Sequence, residues 1–128
     1  MQERKNLSSG ESTCRKAILA PARNIAFLQK AMNAIGGKWK LPILCFLTAN
    51  GTTRYNDLLR RITGISNAML SKSLRELEEA GLVKREEYLE IPVRVEYALT
   101  GKAVRLGPIL QELIRWEIAR KSGTGQGE

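Results

Sequence analysis

The stretch "GISNAMLSKSLRELEEAGLVKRE", Gly64 to Glu86, is the part of the chain whose reading decides the fold. Leu70, Leu74 and Leu77 recur at helical spacing, with Ile65 just before them, Ser66 in place to cap and Gly81 to terminate, so a helix is predicted over 67–80. Its other side carries Asn67, Ser71, Lys72 and Arg75, whereas Glu76, Glu78 and Glu79 are confined to the far end. An ordinary surface helix needs no such polarity along its length. A helix whose first turns meet a polyanion does, because its N-terminus already favours phosphate and its carboxylates are best kept away.

Working upstream, Thr63-Gly64 reads as a short turn, preceded by a helix from Arg54 to about Arg61 with Thr52 or Thr53 as its cap and Leu58, Leu59 and Ile62 inward. Before that, Ile25, Leu28, Met32 and Ile35 predict a helix from Ala22 to Ile35, ended by Gly36-Gly37. A second follows from about Lys38 to Ala49, apolar nearly all round and therefore central, with Pro42 tolerated near its first turn. Downstream the period changes. Val93, Val95, Tyr97 and Leu99 alternate with Arg94, Glu96 and Ala98, predicting a half-buried strand that pairs with a weaker one over 82–88 as a hairpin. Thr100 then caps a helix expected to run to about Lys121, kinked at Gly107-Pro108, with Ile109, Leu110, Leu113, Ile114 and Trp116 on its apolar side. The expected fold is mainly α with a small β-hairpin: a winged helix-turn-helix with additional helices at both ends.

The boundaries expected are a polar, flexible arm over 1–19, one domain over 20–121 and a flexible tail over 122–128. At 128 residues, with 43% hydrophobic and 27% charged residues, the chain has the composition of a soluble globular domain. Apolar runs such as Leu41 to Leu47 are too short to span a bilayer and nothing near Met1 resembles an export signal, so the expected location is the cytoplasm, with no membrane partner. A formal charge of +8 favours polyanions, nucleic acid first. With no His and with Asp57 as the only Asp, the usual triads, histidine metal sites and paired-aspartate sites cannot be built. No enzyme activity, cofactor or metal is expected.

In a helix-turn-helix the second helix enters the major groove by its N-terminal residues while the first steadies the protein across the backbone. Ser66, Asn67, Ser71, Lys72 and Arg75 are the side chains expected there. In isolation such a polar face is simply solvated. Its place after a helix and turn and before a hairpin is what favours DNA. Arg94, near the hairpin tip, either probes a minor groove or its phosphates or pairs with Glu96 or a glutamate of the facing strand. Lys38, Lys40, Arg54, Arg60 and Arg61 are backbone candidates that would make affinity salt-sensitive. Tyr55 either bonds a phosphate through its hydroxyl or packs at the start of its helix. Two rival readings are a winged-helix interaction module docking a partner on the C-terminal helix, and an RNA-binding module, for which 5% aromatic residues offer few stacking platforms.

Three ordered segments, "IGGKWKLPIL" (35–44), "RYNDLLRRITGISNAMLSKSLRELEEAGLVKR" (54–85) and "YLEIPVRVEYALT" (88–100), resemble the HxlR-type transcriptional regulators, winged-helix proteins related to the MarR group. The resemblance spans about Ala22 to Trp116. It implies a homodimer on an inverted-repeat double-stranded DNA operator, with Asn67 to Arg75 in the recognition helix, Arg94 in the wing, and the first and last helices forming the dimer interface. Many members carry a Cys about ten residues before the IGGKW motif, and in some it senses electrophiles or oxidants; here Ala26 and Phe27 hold roughly that register. Cys14 lies farther upstream beside Arg15 and Lys16, and is kept as either a redox sensor or an unremarkable thiol. Cys45 falls in the apolar second helix and is expected in the core. Leu89 and Val93 stand where the family often has prolines flanking the wing. No residue set points to a small-molecule effector.

Overall fold

The computed structural model describes residues 22–124, leaving the expected arm, Cys14 and the last four residues outside the described part. Two compact units divide after Gly36. In the first, α1 (Ala22–Ile35) has the expected bounds and exposes Phe27, Leu28 and Met32.

The second unit begins with α2 (Lys40–Asn50), which places Pro42 in its first turn, where the missing N–H has no helical acceptor to lose. β1 (Thr53–Arg54) runs straight into α3 (Tyr55–Arg61), and α4 (Asn67–Glu79) follows the turn. β2 (Val83–Tyr88) and β3 (Arg94–Leu99) form the hairpin, and α5 (Gly101–Val104) and α6 (Gly107–Thr124) close the chain. The sheet is antiparallel in the order β1-β3-β2, with Val83 opposite Leu99, Tyr88 opposite Arg94 and Thr53 opposite Tyr97.

The core is assembled by the faces that periodicity marked. Ile43, Leu44 and Leu47 of α2, Leu58 of α3, Leu70, Leu74 and Leu77 of α4, and Val83 of β2 are fully buried. Each such aliphatic side chain contributes about 1.5–3 kcal/mol relative to an exposed one. Cys45 is half-buried rather than in the core.

Both ends of α4 follow the capping chemistry read from the sequence. Ser66 is extended and its Oγ accepts from the Met69 N–H at 3.1 Å. At the other end Gly81 takes φ +79°, which lets its N–H reach the Glu78 carbonyl and the Leu82 N–H reach that of Leu77 at 2.9 Å. Leu77 and Leu82 are both buried beside this double bond, so the termination is a Schellman motif with its hydrophobic contact.

Four expectations need correction. No threonine caps α3: Arg54 occupies that position without a side-chain bond, and the Thr53 hydroxyl donates to the Gly51 carbonyl at 2.8 Å. Thr53 is instead committed to β1, so the expected two-stranded hairpin is a three-stranded sheet. α2 begins at Lys40 rather than Lys38, with Trp39 at its cap position. The last helix is not one kinked rod: Thr100 caps only the four-residue α5, its Oγ1 accepting from Ala103 N–H at 3.4 Å, and the chain turns before Gly107 starts α6. Gly107 is buried where α6 meets α2, and a Cβ there would stand 3.4 Å from Thr48 Cγ2. α6 then runs to Thr124, beyond its expected end near Lys121.

Candidate nucleic-acid interface

Leu70, Ser73, Leu74 and Leu77 bury one side of α4 and leave the opposite one to solvent. Ala68, Lys72, Arg75 and Glu79 lie along that outward stripe by helical spacing, all exposed. Lys72 and Arg75 form no ion pair with another described residue. The first turn of α4 contains no acidic residue, so its N–H groups, the Ser66 cap and the two cations present one positive edge to the outside.

On the flank of that stripe, Asn67 and Ser71 turn toward α3. The Tyr55 hydroxyl lies 2.9 Å from Ser71 Oγ and 3.1 Å from the Asn67 carbonyl, and it also bonds the Asn67 side-chain oxygen. Tyr55 is thus neither free for a phosphate nor merely packed; it bridges the two helices of the motif. Beside it opens a cleft of about 430 Å³ between α3, α4 and the hairpin, lined among others by Arg54, Tyr55, Ser71, Arg85 and Arg94.

The cations in and around this cleft differ in availability. Arg54 is exposed. Arg85 is exposed but ion-paired with Glu87 at 3.3 Å. It stands opposite Tyr97, whose phenol burial pushes above its ordinary range despite the guanidinium beside it. Sequence patterning did not single out Arg85, because only its register against β3 brings it to the cleft. Arg94 is held most tightly: its side chain is 24% exposed, with Nη1 3.0 Å from Glu90 and Nε 3.1 Å from Glu96. Its guanidinium stacks 4.1 Å from the Tyr88 ring centre. The Arg94 Nε is shielded from solvent and its N–H is not aligned on an acceptor, so the Glu96 contact is coulombic rather than a hydrogen bond. Arg94 has the paired geometry of its second reading, with a loop glutamate added. The exposed tip of the wing is instead Leu89, Ile91 and Val93.

Four backbone candidates are placed apart from this cleft. Lys40 is only 13% exposed and bonds Glu76 at 3.1 Å, tying α2 to the second half of α4. That bond holds the Glu76 carboxyl below its ordinary value against a smaller desolvation. Lys38 is exposed just ahead of α2, its ammonium 5.1 Å from the Trp39 ring centre. Arg60 pairs with Asp57 at 2.6 Å, and Arg61 lies 5.0 Å over the Phe46 ring. Among the described residues no cluster of ligating side chains could hold a metal ion, and no described helix is long and apolar enough to cross a membrane.

A capped helix with a cationic outward edge, set behind a short helix and turn and beside a three-stranded wing, defines a winged helix-turn-helix DNA-binding domain. Residues 34–122 match the HxlR-like helix-turn-helix family, and the chain belongs to it. An HTH-type transcriptional regulator of Methanothermobacter thermautotrophicus is 48% identical over 89 residues, covering 70% of this chain and 67% of that protein. Among solved structures, a MarR-family regulator of Enterococcus faecalis V583 superposes with a TM-score of 0.70 at 34% identity, covering 84% of this chain and 96% of that one. The redox regulator HypR in its oxidized form gives 0.65 at 36% identity, covering 72% and 94%. The protein is a transcriptional regulator of the HxlR type.

Proposed function

We propose that this regulator binds an inverted-repeat operator as a homodimer, α4 of each protomer entering one of two successive major grooves roughly 34–36 Å apart. The observation that carries this reading is the outward stripe of α4, where Lys72 and Arg75 stand exposed beyond a capped, carboxylate-free N-terminus. Ser66, Asn67, Ser71, Lys72 and Arg75 read bases and adjacent phosphates. Arg54 and Lys38 contact the backbone, and the wing lies toward the flanking minor groove or its phosphates. Arg94, neutralised by Glu90 and Glu96, braces the wing. The protein acts in the cytoplasm on DNA, with no catalytic step.

Dimerisation is supported by the two outer helices. In α6 only Leu110 is buried among the large apolar residues, while Trp116 is 60% and Ile118 61% exposed, with Leu113 and Ile114 also open. α1 exposes Phe27, Leu28 and Met32. Apolar faces of this extent are costly to leave in water and mark association surfaces. A second copy carries the same faces, as isologous pairing requires.

The test of function is fluorescence anisotropy on the chain's own upstream intergenic duplex and a scrambled duplex of equal length, across several salt concentrations. Tighter binding to the native duplex that persists at physiological salt, with affinity falling steeply as salt rises, is the expected result. Equal, weak binding that vanishes with salt would leave only a basic surface. For the dimer, Ile114→Glu is expected to give a monomer mass by light scattering at concentrations where the parent is dimeric, because it buries an unpaired charge in the interface. Operator affinity should fall at least about tenfold as the second half-site is lost. A dimeric Ile114→Glu protein with full affinity would remove α6 from the interface.

A further inference from the structure

We infer that Tyr55 is a positioning residue for sequence readout: its hydroxyl fixes Asn67 and Ser71 on the recognition helix so that Asn67 presents hydrogen-bond donors, and Ser71 an acceptor, to the DNA. This rests on the assignment of α4 to the major groove.

The inference follows from counting protons. A tyrosine hydroxyl carries one donor and can accept in return. Around the Tyr55 oxygen stand the Asn67 carboxamide oxygen, the Asn67 main-chain carbonyl at 3.1 Å and Ser71 Oγ at 2.9 Å. The main-chain carbonyl of a residue in the first turn already serves the helix as acceptor. The single Tyr55 proton therefore goes to the carboxamide oxygen, and the Ser71 hydroxyl donates to Tyr55. With its oxygen engaged, Asn67 is left with its NH₂ facing outward, matching purine N7, guanine O6 or thymine O4. Ser71, having spent its proton, offers lone pairs, which a cytosine or adenine amino group satisfies.

The local sequence accounts for this geometry. Tyr55 is the first residue of α3 and directly follows β1, whose partner β3 fixes where the helix starts. Its ring lies 6.4 Å from that of Tyr97, tilted by 49°, and Tyr97 is itself buried in the sheet. A ring so supported has little freedom. Asn67 and Ser71 are four residues apart on one helical face, so one hydroxyl spans both. Both are exposed, and without the hydroxyl each would sample several rotamers and lose entropy on binding.

Tyr55→Phe keeps the ring and removes only the hydroxyl. In the full-length protein it should leave the melting temperature nearly unchanged. On the native duplex it should lose about tenfold in affinity, as expected for one misplaced base reader. The scrambled duplex and the salt slope should be unaffected. Asn67→Ala should cost a similar factor, and the double variant little more than either alone, since the two residues act as one unit. In the free protein, the side-chain amide of Asn67 should give a single-rotamer NMR signature that becomes averaged in Tyr55→Phe.

Equal weakening on both duplexes would make Tyr55 a phosphate ligand and overturn the inference. Additive losses, or an Asn67 amide already averaged in the parent, would do the same. A clamped Asn67 amide in a parent that shows no preference for the native duplex would instead sink the recognition-helix assignment, and readout by Tyr55 with it.

Discussion

Replacing both Lys72 and Arg75 by Ala is expected to weaken binding to the native operator about a hundredfold while leaving the fold intact. Each side chain lies on the outward stripe of α4, exposed and without an ion-pair partner among the described residues, which leaves it open to DNA. A single contact to a base edge or a phosphate is worth about 1–3 kcal/mol, roughly tenfold. Two contacts that share no partner add. Salt titration separates their roles. A side chain that neutralises a phosphate reduces the slope of log affinity against log salt by about one and weakens scrambled DNA equally, whereas a base reader loses affinity only on the native duplex. Stability should change by no more than about 0.5 kcal/mol, because neither residue is buried and the two like charges, three apart on one helix, repel slightly. Unchanged affinity in both single variants would remove α4 from the groove.

The parts of this interface that were legible in the sequence are those that depend on neighbours along the chain. Leu70, Leu74 and Leu77 repeat at helical spacing, so the buried and outward sides of α4 followed from counting. Ser66 and Gly81 announced its ends by local hydrogen bonding and by a left-handed φ. What stayed hidden depends on partners distant in sequence. β1 is two residues long and exists only because β3 offers an edge to Thr53 and Arg54, so no period marks it. Thr53 looks like a helix cap until that pairing claims it. Tyr55 and Ser71 are 16 residues apart, and their contact needs the crossing of α3 and α4, which no linear pattern encodes. Charge alone misled at Lys40: its basic side chain suited a backbone contact, but packing of α2 against α4 turned it to Glu76. The tip of the wing shows the same limit. Arg94 drew attention as its only cation, yet Glu90 and Glu96 flank it and Tyr88 covers it.

Leu74→Ala is expected to be the most destabilising single truncation on α4, costing about 2–5 kcal/mol. Leu74 is 1% exposed and sits at the middle of the buried stripe, between the fully buried Leu70 and Leu77, where α2 and α4 pack on one another. The loss combines the transfer energy of the removed carbons with a cavity that flanking helices cannot close, since Ile43, Leu44 and Leu47 are already packed on the other side. Against a domain stability of about 5–15 kcal/mol this is a large fraction. The melting temperature should drop by about 10 °C or more, compared at equal protein concentration. Met69→Ala is the matched control: Met69 lies on the same helix at 39% exposure, so its truncation should cost well under half as much. The two variants also separate stability from recognition. Leu74 has no access to DNA, so operator affinity of the Leu74→Ala protein, measured well below its melting point, should stay within about threefold of the parent. A loss comparable to that of the Lys72 and Arg75 variants, in a protein still fully folded, would mean that the presentation of α4 depends on its core packing as much as on its surface residues.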